Sequence, residues 1–441
     1  MQLSRNKSIR NTVAALTTAL LGTSLAAAPA PDKVETSMLL YSETDRVSAA
    51  EAIVTYSKML KRGWSLSGTA TYDALTGASP NGATPSRGIQ TFTRPSGSGG
   101  YTAQPGETPL DDTFHDTRFG ISGTLSKQLD PNTNVQFGAR FSAEYDYFSG
   151  GANAGISRDF NHRNTTLSLS GSYSHDVISP EGGIPNPFTS MLAYSGEGED
   201  DGEGEVERES DDDDHGTRLE DSDNKNVFDL VLGLTQVLDR RTVARFNYSF
   251  SYASGYLTDP FKILSVVAEP GSANAGEPLD YRYEKRPDSR TKNAFYAQML
   301  RYLGGNTLDL SYRYFWDDWG VTSHTADLFY RQQLGGGHSL QPHLRWYHQS
   351  EADFYRLFLV NGQSLPQYAS ADSRLAAFDA YTVGLQYALP IAENTHLTFT
   401  GEYYTQRGDS SPPEAFGTLR GLDLFPKMDA VMFRVGFAHG F

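Results

Sequence analysis

The sequence contains no cysteine, which excludes several kinds of site. None of its 441 residues can form a disulfide, a thiolate metal site, a c-type haem attachment or a lipoprotein anchor. This composition suits a protein that crosses an oxidising periplasm unfolded, because no wrong disulfide can form on the way. The glycine-containing stretches never lead into Gly-Lys-Ser/Thr, so a phosphate-binding loop of that type is also excluded.

Long hydrophobic runs are also missing from most of the chain. A membrane-spanning helix needs about 20 consecutive apolar residues, and no such run follows residue 30. The net charge of −16 and the mean hydropathy of −0.47 resemble those of a soluble protein. However, 25 tyrosines, 24 phenylalanines and 42 glycines suit a transmembrane β-barrel, in which aromatic residues form interfacial girdles and small residues face the lumen.

The first 28 residues have the pattern of a cleaved signal peptide. Arg5, Lys7 and Arg10 form a positively charged region, and an apolar core follows at 13–25. Three alanines then supply small residues for a signal peptidase. We therefore expect cleavage after Ala28, export of the chain and a mature domain over 29–441. An uncleaved N-terminal anchor is the alternative, which the shortness of the apolar core disfavours.

The mature sequence alternates between apolar and polar residues. In one example, Phe137, Ala139 and Phe141 share one face of a strand. The intervening Gly138 and Arg140 share the other face. We count 16 such segments, centred near residues 38, 54, 68, 120, 141, 155, 170, 232, 248, 297, 312, 327, 345, 382, 402 and 435. A soluble β-sandwich is the main alternative, but it would not need 16 alternating strands from one continuous chain.

The connections between these segments alternate in length. Tight turns occur at 61–63, 130–132, 161–163, 239–241, 304–306, 335–337 and 392–394, and long connections occur near 77–112, 179–226, 257–290, 351–373 and 408–426. Short periplasmic turns, long extracellular loops and an even strand number are typical of outer-membrane barrels. The predicted fold is therefore all-β, a transmembrane antiparallel up-and-down β-barrel of about 16 strands, located in the outer membrane and surrounded by its lipid.

The last predicted strand ends in an aromatic residue. Val431, Phe433, Val435 and Phe437 lie on one face, and the chain closes with Phe441. A C-terminal Phe on an alternating strand resembles the signal read by the outer-membrane assembly machinery. We therefore predict Phe441 as an assembly signal and that machinery as a partner.

The segment 197–223 is strongly acidic. It holds 15 carboxylates and two arginines, so it supplies −13 of the net charge of −16. Such a run cannot bury enough apolar surface to fold, and we predict a disordered extracellular loop. A weak association of divalent cations at Asp211, Asp212, Asp213 and Asp214 is the functional alternative. An EF-hand register starting at Asp211 fails, because Ser222 occupies the position of the bidentate glutamate.

One face of the predicted strands carries charges that we assign to the lumen. By alternation, the lumen-lining residues are Arg118, Arg140, Glu144, Arg245, Asp309, Arg313, Asp327, Arg331, Arg345, Glu402 and Arg434. Asp379 is assigned to the same face. Buried charges are costly unless paired, so either the interior is a wet pore or charge ladders brace a narrow lumen. A 16-stranded barrel is wide enough for water, which favours the pore. The loops 77–112 and 257–290 are candidates for a constriction.

No side-chain pattern identifies a catalytic or cofactor site. His343 and His348 are five residues apart, which places them on opposite faces of one strand. An outer-membrane hydrolase would need a serine and a histidine on neighbouring strands at matched height, and no motif marks such a pair. We therefore predict no enzyme activity, no cofactor and no nucleic-acid partner.

Five segments resemble an uncharacterised family of Gram-negative outer-membrane β-barrel proteins, a family defined by a domain of unknown function. They are YDALTGASP at 72–80, LTDPFK at 257–262, RPDSR at 286–290, DDWG at 317–320 and ADFY at 352–355. The resemblance implies an outer-membrane barrel without an established activity or catalytic residues. Family members often occur beside small lipoproteins and a periplasmic flavin transferase, so it also implies a periplasmic lipoprotein or flavin-linked redox protein as a partner.

We interpret these five segments as pieces that end strands and anchor loops, since aspartate and proline terminate strands. Trp319 and Tyr355 are expected at the membrane interface. Two functions follow as close alternatives: a porin-like channel with a polar, mixed-charge lumen, and a non-conducting scaffold or sheath for a periplasmic or surface redox partner. The channel ranks first, and a hydrolase ranks third.

Overall fold

The computed structural model describes residues 32–94, 99–191 and 218–441. Its main element is a closed sheet of sixteen strands, in which neighbours along the chain pair antiparallel and the last strand pairs with the first. The barrel strands are β1 (Lys33–Glu43), β2 (Val47–Met59), β3 (Trp64–Pro80), β6 (Leu110–Asp130), β7 (Thr133–Ala143), β8 (Tyr147–Phe160), β9 (Thr165–Ile178), β10 (Asp223–Asp239), β11 (Thr242–Gly255), β14 (Ser289–Leu303), β15 (Asn306–Asp317), β16 (Thr322–Gly335), β17 (His338–Gln349), β19 (Phe378–Ala392), β20 (Thr395–Gly408) and β21 (Met428–Gly440). Each predicted segment centre lies inside one of these strands, so the predicted up-and-down barrel is confirmed.

Alternation along the strands separates an apolar outer face from a polar inner face. Phe137 and Phe141 of β7 leave 56% and 54% of their surface uncovered on the outer face. The same face of the other strands exposes Leu40, Val54, Tyr72, Ile121, Ile156, Leu169, Tyr173, Leu232, Tyr252, Phe295, Leu310, Leu344, Tyr381, Val383, Phe399 and Phe433. A continuous apolar band of this kind is the surface that a barrel presents to lipid. Among the residues that the structure describes, no helix is long and apolar enough to cross a membrane.

The two ends of the barrel differ in their connections. At one end, here called the short-turn end, every connection is a tight turn at one of the positions predicted from the sequence. The turn after β8 shows why it can be so short: Asn161, His162 and Arg163 all adopt positive φ, which reverses the chain within four residues. The opposite, long-loop end has five long connections, at 81–109, 179–222, 256–288, 350–377 and 409–427, and three short ones, at 44–46, 144–146 and 318–321.

The described parts of the five long loops pack together into one layer, here called the cap. It contains a hairpin of β4 (Gln90–Thr93) and β5 (Gly100–Ala103), and a three-stranded sheet of β12 (Ile263–Val267), β13 (Pro278–Tyr283) and β18 (Phe358–Val360). β12 lies in the middle, antiparallel to β13 and parallel to β18. Leu264, Val267 and Leu419 are completely or almost completely buried. The cap therefore has a hydrophobic core of its own, apart from the barrel wall.

The cap crosses the mouth of the barrel. The loop after β3 meets the loop after β11, although six strand positions separate their roots around the ring. The amide of Ile263 donates to the carbonyl of Asn81 at 2.9 Å, and the amide of Thr84 donates to Ser265 Oγ at 3.0 Å. The loop before β21 joins the same assembly, because the amide of Thr418 donates to the carbonyl of Ala275 at 2.9 Å. Loops from different sides of the barrel are thus tied to one another.

Candidate functional site: the lumen and its cap

Ten of the eleven predicted lumen residues lie in barrel strands, on the face opposite the exposed apolar side chains. The exception is Glu144. Its strand ends at Ala143, and the amide of Glu144 donates to the carbonyl of Tyr147 at 2.7 Å, which closes a tight turn at the long-loop end. The assignment of Asp379 to the lumen is wrong. This residue shares the outer face of β19 with Tyr381 and accepts a hydrogen bond from the outward Trp346 Nε1 at 3.2 Å.

One histidine that is not among the predicted lumen residues connects several lumen charges. His343 Nδ1 lies 2.7 Å from Glu402 Oε1, and its Nε2 lies 3.1 Å from Asp327 Oδ1. Arg345 Nε donates to the same Asp327 oxygen at 2.6 Å, and Phe329 stacks on the imidazole at 4.0 Å. We call these five residues the His343 network. The alternation of the strand could have predicted this position, because His343 is two residues from Arg345 and therefore lies on the same face.

A second group of lumen charges lies on β2, β3 and β6. Glu51 is opposite Asp73 in the strand register, and Asp73 is opposite Arg118. Arg118 Nε donates to Asp73 Oδ2 at 2.5 Å. Glu51 also belongs to this group, although it was not predicted. The carboxyl groups of Glu51 and Asp73 are directly opposed, and the guanidinium of Arg118 beside them supplies the opposite charge.

The remaining predicted lumen residues are spread around the wall. Arg245 Nη1 approaches Gln298 at 3.5 Å, and Gln298 donates to both carboxylate oxygens of Asp309 at 2.9 Å. Arg331 Nε donates to Gln341 at 2.8 Å, and Arg313 lies over the ring of Phe315 at 5.7 Å. Arg434 is partly buried on β21, whereas Arg140 is exposed on β7. The inner wall thus combines paired charges with charges that remain open to solvent.

The cap contains six charged side chains that lie close together, four of them buried and two, Asp259 and Arg374, half-buried. We call Asp259, Lys262, Glu284, Arg286, Asp372 and Arg374 the cap charge cluster. Arg286 Nη2 donates to Asp372 Oδ2 at 2.8 Å, and Arg374 Nε donates to both oxygens of Asp372 at 2.8 and 2.7 Å. Arg374 also pairs with Asp259. Three acids and three bases balance, as buried charges require.

The pKa values in this cluster follow from burial and pairing. Burial alone would raise the pKa of Asp372, but the guanidinium groups of Arg374 and Arg286 outweigh it and hold that pKa well below its usual range. Asp259 follows the same pattern, with Arg374 and Lys262 lowering its pKa. Burial dominates at Glu284, whose pKa is raised despite the nearby Arg286. The two aspartates are therefore the firmly ionised acids of the cluster.

The five family-like segments meet at the base of the cap. Asp259 and Lys262 come from LTDPFK and Arg286 from RPDSR, and Lys262 Nζ donates to the carbonyl of Pro80, which ends YDALTGASP. The same RPDSR segment pairs through its second arginine with DDWG. DDWG in turn accepts from ADFY, since the amide of Asp353 donates to the carbonyl of Trp319 at 2.9 Å. The segments anchor loops to the ends of strands.

The expected position of two aromatic residues was wrong. Trp319 and Tyr355 are buried in the hydrophobic core of the cap and do not lie at the membrane interface. Trp319 packs edge-on against Phe354, and its indole nitrogen donates to the carbonyl of Ser289 at 2.8 Å. The indole is therefore buried with its polar atom satisfied by the backbone, as is usual for a buried tryptophan.

Most of the acidic stretch, including Asp211 to Asp214, lies outside the described residues, as does the predicted signal peptide. The predicted disordered loop over 197–223 includes residues 218–223, which the structure describes and which contact the cap. The guanidinium of Arg218 lies over the ring of Tyr283 at 4.8 Å and donates to the carbonyl of Gly183 at 3.2 Å. The amide of Leu219 donates to the carbonyl of Ile184 at 2.9 Å. The chain is therefore tied to the cap from Arg218 onward.

In the described part of the chain, no three or more histidine, cysteine or acidic side chains are grouped so that they could hold a metal ion. The hydroxyl contacts of histidine there involve threonine and tyrosine, as in Thr76 with His115 and Thr395 with His439. The absence of enzyme activity remains a prediction. Phe441 follows β21, and its amide donates to the carbonyl of Asp32 at 3.0 Å.

Several solved structures are similar to this chain. The siderophore receptor PirA from Pseudomonas aeruginosa is 13% identical with a TM-score of 0.40, covering 93% of this chain and 63% of the receptor. The CymD monoaromatic hydrocarbon channel is 8% identical with a TM-score of 0.38, and the match covers 94% of this chain and 89% of the channel. A bacterial polysaccharide outer membrane secretin is 8% identical with a TM-score of 0.43, and the match covers 94% of this chain and 100% of the secretin. This chain thus spans less than two thirds of the siderophore receptor.

No curated protein matches the sequence. A family model described as "Protein of unknown function (DUF3570)" matches residues 10–439. That match covers almost the whole chain, from before β1 through the cap to the last residue but one of β21. It agrees with the resemblance read from the five segments, and the chain belongs to this family of proteins of unknown function.

Proposed function

We propose that this protein is an outer-membrane channel whose entrance is restricted by the cap. The observation that carries the proposal is the inner wall, where charges such as Arg140 remain exposed to solvent while the outer face is apolar. A closed barrel of 16 strands is wide enough for an aqueous lumen. Charged groups of both signs along that lumen suit the passage of small hydrophilic solutes.

The proposal includes an orientation and a location. The long loops and the cap face the outside of the cell, and the tight turns and both termini face the periplasm, as in other outer-membrane barrels. The signal peptide directs export, and Phe441 serves the assembly machinery. The acidic stretch attracts cations toward the entrance, because a concentration of like charge raises the local density of counter-ions.

Planar-bilayer conductance of the refolded mature chain tests the proposal. A matched variant lacks only residues 197–217, so that Arg218 keeps its contacts with the cap. We expect steady conductance in both proteins and a weaker cation preference in the variant. A folded, heat-modifiable barrel that never conducts would contradict the open-channel proposal.

The cap favours a second candidate, a non-conducting scaffold for a periplasmic lipoprotein or flavin-linked redox protein. Loops rooted on different sides of the barrel are tied together across its mouth, and such packing narrows the entrance. A variant with a weakened cap, Asp372→Asn, distinguishes the candidates. Conductance that appears or rises in this variant supports a restricted channel. If neither the unmodified chain nor Asp372→Asn conducts, and a periplasmic redox protein co-purifies with the barrel, the scaffold is supported.

A further inference from the structure

Two histidines lie next to each other on the outer face of the barrel, where most side chains are apolar. His324 of β16 and His348 of β17 are directly opposite in the strand register, and their ring centroids are 6.4 Å apart. Both residues are near the long-loop ends of their strands. Trp346 and Tyr314 flank the pair, with centroids 6.5 and 5.1 Å from His324. This level corresponds to the aromatic girdle, where water reaches the barrel surface.

Each imidazole is oriented by a partner at Nδ1. His348 Nδ1 lies 3.1 Å from Asp379 Oδ1, and His324 Nδ1 lies 2.6 Å from the hydroxyl of Tyr312. A carboxylate at Nδ1 stabilises the proton on that nitrogen and leaves a lone pair on Nε2. Among the described residues, no partner contacts Nε2 of either ring. The Trp346 indole also donates to Asp379 at 3.2 Å, which fixes the carboxylate in place.

We propose that His324 and His348 form a binding site for a divalent transition-metal ion such as Zn²⁺ or Cu²⁺. Imidazole nitrogen is a preferred ligand of these ions. With metal–nitrogen bonds of about 2.1 Å and a tetrahedral angle at the ion, two coordinated imidazoles have ring centroids about 5.3 Å apart. The observed separation is 6.4 Å, so the two rings must approach each other by about 1 Å when the ion binds. Water completes the coordination from the solvent side. Asp379 acts on the metal through His348, as an outer-shell carboxylate.

His343 and the acidic stretch do not offer the same chemistry. His343 in the lumen has a carboxylate at each nitrogen, at 2.7 and 3.1 Å, so no ring nitrogen is left for a metal. The acidic stretch supplies only oxygen ligands and one histidine, His215, and such ligands suit Ca²⁺ and Mg²⁺. The paired imidazoles therefore select a different class of ion, whether or not the barrel conducts.

Isothermal titration of the refolded mature chain with Zn²⁺ tests this site. The protein carries a purification tag without histidine, and millimolar Mg²⁺ occupies the carboxylates of the acidic stretch. We expect one Zn²⁺ per chain, with binding lost in His324→Ala and in His348→Ala. Asp379→Asn is expected to weaken binding by about tenfold or more, as for other outer-shell carboxylates. His343→Ala, on the lumen side of the same strand as His348, is the matched control and should bind as the unmodified chain does.

Tryptophan fluorescence gives a second readout of metal binding that is independent of calorimetry. Cu²⁺ at this site should quench Trp346, whose ring is 6.5 and 6.3 Å from the two imidazoles. The quenching should be smaller in Trp346→Phe, although the copper still binds. Zn²⁺ binding that persists unchanged in both histidine variants would overturn the proposal. Binding that is lost only when residues 197–217 are deleted would overturn it as well, because the ion would then belong to the acidic stretch.

Discussion

Arg286 and Asp372 are 86 residues apart in the chain, yet Arg286 Nη2 donates to Asp372 Oδ2 at 2.8 Å in the interior of the cap. The two side chains retain only 5% and 2% of their exposed surface. One belongs to the loop after β11 and the other to the loop after β17, so this pair joins two sides of the mouth. Because a buried charge without a partner is costly, each residue depends on the other.

Asp372→Asn should destabilise the cap. The substitution leaves the guanidinium groups of Arg286 and Arg374 buried without their shared carboxylate, which costs about 3–5 kcal/mol. Native-state hydrogen exchange of cap amides measures the change. The matched control is Asp423→Asn, which breaks the pair of Asp423 with Lys427, where both side chains are 46% exposed. Exposed pairs contribute about 0–1 kcal/mol, so equal effects of the two substitutions would contradict the prediction.

The cap should lose stability in acid, but only at low pH. Since the folded-state pKa values of Asp372 and Asp259 are depressed, their contribution is fully present above the unfolded value of about 3.9. It is lost as the pH falls from that value through the folded pKa. Glu284 acts in the opposite direction. Burial raises the pKa of its carboxyl group, so Glu284 binds a proton at a higher pH in the folded cap than in the unfolded chain. Protonation of Glu284 therefore stabilises the cap as the pH falls.

Limited digestion with an acid-active protease checks this prediction. Cleavage in the cap should not increase between neutral pH and about pH 5, and it should rise steeply below about pH 4. In Asp372→Asn the dependence should be shallower, since one depressed group is gone, and in Glu284→Gln it should be steeper. A cap that is equally resistant at pH 3 and pH 7 would show that these carboxylates do not support it.

The barrel could be predicted from the sequence because its signals are local. Phe137 and Arg140 report opposite faces of the same strand within a few residues, and tight turns such as 304–306 mark where the strands end. The cap could not be predicted, because its contacts join segments that are distant in the sequence, and because its loops show no regular alternation of apolar and polar residues. Arg374 pairs with Asp259, 115 residues away, and nothing near either residue indicates that partner.

The site was predicted in part for the same reason. Alternation places a side chain on a face, so ten lumen residues were found, but it does not identify neighbours on other strands. His343 meets Glu402 across β19, where Gly384 leaves room for the glutamate side chain. That contact depends on strand register, which a single sequence does not supply.

Gly417→Ala should loosen the contact between two loops of the cap. Gly417 has φ of +55°, and an added Cβ would overlap the backbone carbonyl oxygen of Ala275. Gly421→Ala is the matched control, because its φ of +86° is also unfavourable but nothing lies within 4 Å of the new Cβ. We expect a cost of about 1–2 kcal/mol at Gly421 from backbone strain. The overlap at Gly417 should add about 1–3 kcal/mol.

Protease resistance of the cap compares these two glycine variants under the same conditions. The Gly417 variant should be cleaved in 256–288 or 409–427 well before the Gly421 variant. If both variants resist cleavage equally, the contact between Gly417 and Ala275 does not hold these loops together.

The absence of cysteine allows a direct test of which residues face water inside the barrel. A single cysteine at Arg140→Cys should react with a charged, membrane-impermeant thiol reagent, because Arg140 is exposed on the inner face of β7. Phe141→Cys is the matched control at the same height, since Phe141 faces outward with 54% of its surface uncovered and would contact lipid. We expect rapid labelling at position 140 and protection at position 141 in lipid vesicles.

Conductance then connects this accessibility to function. Adding a bulky charged group at position 140 should reduce the single-channel current and change its ion preference, because the group narrows the lumen and alters the charge of its wall. The same reagent should leave the current of the Phe141→Cys protein unchanged. If position 140 is labelled but the current does not respond, the lumen is wet without being the conducting path. If position 141 reacts as fast as position 140, the assignment of the two faces to water and lipid is wrong.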